Sequence, residues 1–218
     1  MKKRGKKENI VVFGAHSDDF VIGAGGMIAK YAREGNKIVS IVFSYGESSH
    51  PWLKKKVIQK MRLNEALDAS RMLGCKTYVF DLKEFNFLEE YKTKELEPKI
   101  LALLNKIKPA KIFTHSNEDP HPDHKAAHQL TLMIYEQLYS KPKPELYIFS
   151  IWNPVSFRSY PALYVNISKT FSLKLRALKT FRSQKLHVMY PLFLLIFRAI
   201  KDGLKIRTWF GEKFYRIK

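Results

Sequence analysis

Short runs of β-branched and aromatic residues recur along the chain: IVVFGAH at 10–16, KIVSIVFSYG at 37–46, TYVFDL at 77–82, KIFTHS at 111–116, ELYIFSIW at 145–152 and ALYVNIS at 162–168. Each predicts a strand. Between them apolar residues fall at helical spacing, as in Ala24, Met27, Ile28 and Tyr31, in Ile100, Leu103, Leu104 and Ile107, and in Ala127, Leu130, Ile134 and Leu138. This alternation predicts an α/β fold, a single-domain Rossmann-like architecture with a mostly parallel sheet and helices on both faces. Ligands of such sheets bind beyond the carboxyl ends of the strands. Polar residues gather there: His16, Asp18 and Asp19 after the first strand, Tyr45, Glu47 and His50 after the second, and His115, Asn117, Asp119, His121, Asp123 and His124 after the fourth.

The 218 residues suit one domain, 9–218, behind a basic tail at 1–8. Thirty-nine Lys and Arg against 20 Asp and Glu give a net charge of +19, and residues 169–218 alone hold 13 basic and two acidic residues. Such a surplus points to an anionic partner or surface. The single cysteine, Cys75, excludes a disulfide framework and any Cys-rich zinc module, and fits a reducing, cytoplasmic setting. No apolar run has the length of a secretory signal or of the ~20 residues that span a bilayer. The stretch at 186–200 has two readings. It either lies in the interface of an anionic membrane, peripheral at its inner face, or packs through Leu192, Leu195, Ile196 and Ala199 on the sheet or on another subunit of a homo-oligomer.

Two segments carry chemistry. In AHSDDFVIGAGG (15–26), His16 and Asp19 stand three apart, so a turn brings both to one point while Asp18 points elsewhere. In HPDHKAAH (121–128), His121 and His124 lie three apart at a helix start opened by Pro122. Alone, the aspartates read as helix caps and the histidines as surface residues. After separate strands of one sheet, they supply a His₂Asp set with an open fourth position. Zinc so held lowers the pKa of its water to ~7, Asp18 is the spare carboxylate that completes deprotonation, and His121 is placed to donate to the oxyanion or the leaving amine. The composite predicts metal-assisted amide hydrolysis. His128 competes as a ligand or stands behind one, whereas His50, His115 and His187 read as structural or loop residues.

These residues resemble the PIG-L/LmbE-like zinc-dependent N-acetylglucosaminyl deacetylases. The family's Ala-His-Pro-Asp-Asp-Glu and Gly-Gly helix start are matched by AHSDDF and GAGG, and its His-x-Asp-His by HPDH at 121–124. MRLNEALDASRMLG at 61–74, ALKTFRSQ at 177–184 and WFGEKFYRI at 209–217 are similar to its Arg-x-x-Glu-Ala helix, its late Ser-Gln segment and its closing Glu-Phe segment. The resemblance implies that His16, Asp19 and His124 bind Zn²⁺ or another divalent metal, that Asp18 is the general base, that His121 stabilises the oxyanion or acts as acid, and that Asp123 orients His121. The implied substrate is an N-acetylated amino-sugar conjugate. Arg62, with the basic tail, would hold an anionic aglycone, unless it makes a surface ion pair with Glu65. Ser17 stands at the family's Pro and costs some loop rigidity. Phe20 stands at its Glu, which removes a carboxylate from beside the site and admits a non-catalytic metal-binding member of the same fold. A nucleic-acid-binding protein is the rival from another class, on the charge and on aromatics interleaved with Lys and Arg in KIRTWFGEKFYRIK, but it leaves the imidazole and carboxylate set unexplained and is disfavoured.

Overall fold

A computed structural model describes residues 7–47, 54–153 and 160–218, the side chains of 185–191 excepted. Strands form at the six expected runs: β1 Asn9–Gly14, β2 Lys37–Val42, β3 Lys76–Val79, β4 Lys111–His115, β5 Glu145–Phe149 and β6 Ala162–Asn166. The helices are α1 Asp19–Arg33, α2 Lys55–Leu73, α3 Phe87–Thr93, α4 Leu96–Ile107, α5 Pro122–Gln137, α6 Phe171–Leu178 and α7 Lys185–Lys205, with a 3₁₀ turn at Arg182–Gln184. A seventh strand, β7 Gly211–Arg216, completes one sheet in the order β3-β2-β1-β4-β5-β7-β6. The strands from β3 to β5 are parallel, while β7 runs antiparallel to both β5 and β6. β7 is missing from the strands the sequence predicts because a carboxylate, Glu212, occupies a buried position in it and hides the alternation that Phe214 continues. The same strand absorbs much of the segment that suggested nucleic-acid binding: Phe214 is in the core and Phe210 stacks on Phe171 at 4.0 Å.

Successive residues of β1 serve opposite faces. Ile10 and Val12 pack under α1, α2, α6 and α7, and Val11 and Phe13 pack under α3, α4 and α5. This two-sided burial is why the parallel strands read as continuous apolar runs. Among the described residues, no helix is long and apolar enough to cross a membrane.

The small residues of GAGG have a packing role. A Cβ on Gly23 would overlap the Phe149 ring, and one on Gly26 would meet Ile167 at 2.7 Å. Midway along α1 the backbone is also gripped by side chains. The Gly26 and Met27 N–H groups donate to the Glu212 carboxylate at 2.9 and 2.7 Å, Lys174 Nζ donates to the Ile22 carbonyl at 2.7 Å and to Glu212 at 2.6 Å, and the Thr170 hydroxyl donates to the Gly26 carbonyl. Lys174 and Glu212 are both buried. Replacing Lys174 by Met should therefore lower stability to urea by about 3–5 kcal/mol, since it strands the Glu212 charge, and adding Glu212→Gln should restore much of the loss while keeping an acceptor for the two N–H groups.

Candidate active site

β1 and β4 are adjacent at the point where the strand order reverses, the usual ligand crevice of an open α/β sheet. A cavity of about 270 Å³ opens at their carboxyl ends. His16, Asp18 and Asp19 reach it from the loop after β1 and the first turn of α1, and His121 and His124 reach it from the start of α5. Its other wall is apolar, formed by Ile22, Ile151, Trp152, Leu178, Leu192 and Leu195.

Asp19 is the hub. Its Oδ2 accepts from the His16 backbone N–H at 2.7 Å and lies 3.6 Å from His16 Nδ1 and 3.1 Å from His115 Nε2, and its Oδ1 lies 3.5 Å from His124 Nε2. Burial opposes its charge, but His124 and His115 outweigh that and hold it well below the usual carboxylate range. Burial likewise opposes a charged His16, yet the Asp123 and Asp19 carboxylates raise it to about 10. For His124 burial is outweighed by Asp19 and Asp119, which raise it to about 9. Asp119 Oδ1 sits 3.0 Å from His124 Nδ1, and its two oxygens accept from the backbone N–H groups of His121, Ile151 and Trp152, tying the α5 start to the chain after β5.

Asp18 occupies the N-cap position of α1 without a capping bond from its side chain, so its carboxylate is available to the cavity. Burial and the neighbouring Asp19 raise its pKa, against the pull of Arg62. With the Gln184 amide turned so that both ends are satisfied, its nitrogen donates to Asp18 Oδ2 at 2.5 Å and its oxygen accepts from the Arg62 guanidinium. Arg62 is 1% exposed and is not the surface partner of Glu65. Glu65 instead accepts from the Ser183 N–H and hydroxyl at 2.8 and 2.6 Å, fastening the Ser-Gln turn to α2.

His121 Nδ1 accepts from the Asp123 backbone N–H at 3.1 Å, and burial beside His16 and His124 lowers its pKa. The neutral ring therefore carries its proton on Nε2. The contact that orients His121 is thus made by the Asp123 backbone. The Asp123 carboxylate instead binds His16 Nε2 at 3.0 Å and accepts from the Phe85 N–H at 2.8 Å.

Several neighbours carried no signal in the sequence. Glu84, 3.7 Å from His16 Nε2, and Phe85, stacked on His121 at 5.9 Å, enter from the segment between β3 and α3. Gln184 arrives from a turn more than 160 positions downstream of Asp18. Glu47 is taken up by Lys55 at 2.7 Å. Phe20 lies in the apolar core and does not line the cavity, so the departure at this position leaves the cavity wall untouched, contrary to the expectation of a lost carboxylate beside the site. Ser17 is buried. His128 bonds the His115 carbonyl at 2.8 Å through Nδ1 and belongs to neither metal-sized cluster among the described residues. His50 and the side chain of His187 lie outside the described residues.

His16, Asp19 and His124 fit a divalent metal. Their ligand atoms lie within 4.8 Å of one another and all three residues are buried. Each of the two imidazoles has one Asp19 oxygen close by, His16 Nδ1 at 3.6 Å from Oδ2 and His124 Nε2 at 3.5 Å from Oδ1, separations that two ligands of one metal can adopt. A second group, His16, His121 and Asp123, meets the distance limit, but His121 is only half-buried and its Nδ1 is occupied.

The family model of PIG-L, GlcNAc-PI de-N-acetylase, matches residues 11–135. The chain is 26% identical over 196 residues to a 4-oxalmesaconate hydratase of Pseudomonas putida, covering 82% of this chain and 75% of that protein. Among solved structures, the 4-carboxy-2-hydroxymuconate hydratase of Pseudomonas putida KT2440 superposes with a TM-score of 0.84 at 20% identity, covering 97% of this chain and 96% of that one. The N,N'-diacetylchitobiose deacetylase of Pyrococcus horikoshii gives a TM-score of 0.78 at 22% identity, covering 96% and 84%.

Elemental analysis should find about one divalent metal per chain, lost in His16→Ala, Asp19→Ala and His124→Ala and kept in His128→Ala. Binding must expel the protons that His16 and His124 hold up to about 10 and about 9 in the metal-free protein. In a chelator competition, apparent affinity should therefore rise with pH between about 6 and 9.

Proposed function

Because the chain belongs to the PIG-L family, that of GlcNAc-PI de-N-acetylase, we propose that it is a metal-dependent hydrolase that removes the acetyl group from an N-acetylglucosamine-type sugar conjugate. The observation that carries this reading is the convergence on one cavity of a metal-sized His16, Asp19 and His124 cluster with a separate carboxylate, Asp18, and a separate imidazole, His121.

His16, Asp19 and His124 would hold a divalent cation, which would supply Lewis acidity toward an amide carbonyl and water. The chain's own residues do the rest. Asp18, with its pKa raised by burial, takes the proton of the attacking water, a task suited to a carboxylate brought closer to neutral pH. Gln184 and Arg62 hold that carboxylate in place. His121, held at Nδ1 by the Asp123 N–H, presents its Nε2 proton to the oxygen that gains charge as the carbonyl is attacked. The C–N bond then breaks, a proton passes to the nitrogen, and acetate and a free amine leave. Asp123 fixes His16 through its carboxylate. Arg62 is the one Lys or Arg among the described lining residues, and its charge, shared with Gln184 and Asp18, is the one such charge the lining offers an anionic group of the conjugate.

The similarity to a hydratase supports a second reading, addition of water to a conjugated acid. The cavity's far wall of six apolar side chains favours the first reading, since it suits a neutral sugar with an apolar aglycone.

Incubation with N-acetylglucosamine conjugates should release acetate and a primary amine in equal amounts. Asp18→Asn should keep its metal and lose ~10²-fold or more in turnover. Wild-type turnover in that variant removes Asp18 as the base. Loss of a hydroxymuconate chromophore without acetate release from any conjugate selects the hydratase instead.

A further inference from the structure

Helix α7 has two apolar faces. Leu195 and Ala199 are buried on the sheet, and Leu192 and Leu195 line the cavity. The other face is turned to solvent. Phe193 (77% exposed), Phe197 (57%), Ile200 and Leu204 (70%) recur at spacings of four, three and four, which places them in one stripe, and Trp209 (82%) follows just past the helix end. Half of the large exposed apolar side chains among the described residues sit on this one element and the turn after it. Lys201, Lys205 and Arg207 border the stripe, and the one carboxylate of the helix, Asp202, is buried.

We infer that this face docks on an anionic lipid bilayer. A contiguous apolar stripe rimmed by cations matches a surface that is apolar below and negative above. A second copy of the chain offers this face no carboxylate from the same helix, because the one carboxylate of α7, Asp202, is buried, so Lys201, Lys205 and Arg207 would gain no opposite charge from a matching α7 face. A nucleic acid can stack bases on Phe193 and Phe197 but leaves Ile200 and Leu204 without an apolar partner. Since the same helix walls the cavity through Leu192 and Leu195, docking brings the cavity's apolar side to the lipid surface. Binding to lipid is read without substrate, so it stands or falls separately from the hydrolase reading.

The full chain is sedimented with vesicles of phosphatidylcholine alone and of phosphatidylcholine mixed equally with phosphatidylglycerol. It should pellet with the anionic vesicles at low salt and be released near ~1 M salt, where the Debye length falls to about 3 Å. Phe193→Ser/Phe197→Ser and Lys201→Glu/Lys205→Glu should each weaken binding by about tenfold or more, with circular dichroism and melting temperature unchanged because these side chains are not in the core. The inference is overturned if wild type stays in solution with anionic vesicles at low salt, or if the double serine variant binds as well as wild type. It is also overturned if light scattering shows a dimer that the same substitutions convert to monomers, since the stripe then belongs to a second copy.

Discussion

A buried carboxylate must be surrounded by donors or lose its charge. Asp19 is such a carboxylate, set between the ends of β1 and β4, and the arrangement around it follows from keeping it ionised. The His16 N–H and His124 supply the surrounding positive ends, with His115 packed beside the carboxylate at 3.1 Å, and each comes from an element that the sheet brings to that seam. The next shell repeats the logic: Asp19 and, from behind, Asp119 raise the pKa of His124, and Asp119 is satisfied by three backbone N–H groups. Imidazoles oriented from behind by carboxylates are primed to bind a cation in front. A metal-sized site thus arises from the same interactions that let an anion be buried at all.

Much of this was legible in the sequence, for identifiable reasons. Six strands announced themselves because parallel strands covered on both faces read as unbroken apolar runs. His16, Asp18, Asp19, His121, Asp123 and His124 were legible because turns and a helix start fix side-chain direction over three or four residues. What escaped depends on long-range contact. Glu84 and Phe85 take their positions from a loop whose course nothing local dictates, and Asp119 and Gln184, both visible in the sequence, owe their contacts to the same long-range placement. Residue 20 was misjudged for the opposite reason: adjacency to a cluster in sequence does not settle which side of a helix a residue occupies, and Phe20 turns to the core. The late segments similar to family motifs could be recognised without being understood. Their purpose appears only in contacts such as Glu65 with Ser183 and Glu212 with the backbone of α1.

The basic, apolar end of the chain divides in the same way. Of the two readings of the 186–200 stretch, packing on the sheet holds for one face of the helix, and docking on a membrane is the proposal for the other. Leu195 and Ala199 are buried against the sheet, while Phe193, Phe197 and Leu204 are not. A helix with a narrow inner stripe and a second outer one is uncommon on a protein that works alone in water. Its inner face shapes the cavity's apolar wall, so whatever covers the outer face is mechanically close to the chemistry.

The insertion of β7 between β5 and β6 has a consequence for the order of events at the ribosome. Every residue around Asp19 is translated before β7 begins at Gly211. Yet the backbone midway along α1 is held by Glu212 of β7, paired with Lys174, and among the described residues β6 pairs with β7 alone. During synthesis the nascent chain can assemble the five parallel strands while α1 still lacks this grip. The side chain that holds the helix is thus made 186 and 185 positions after the two N–H groups it accepts from.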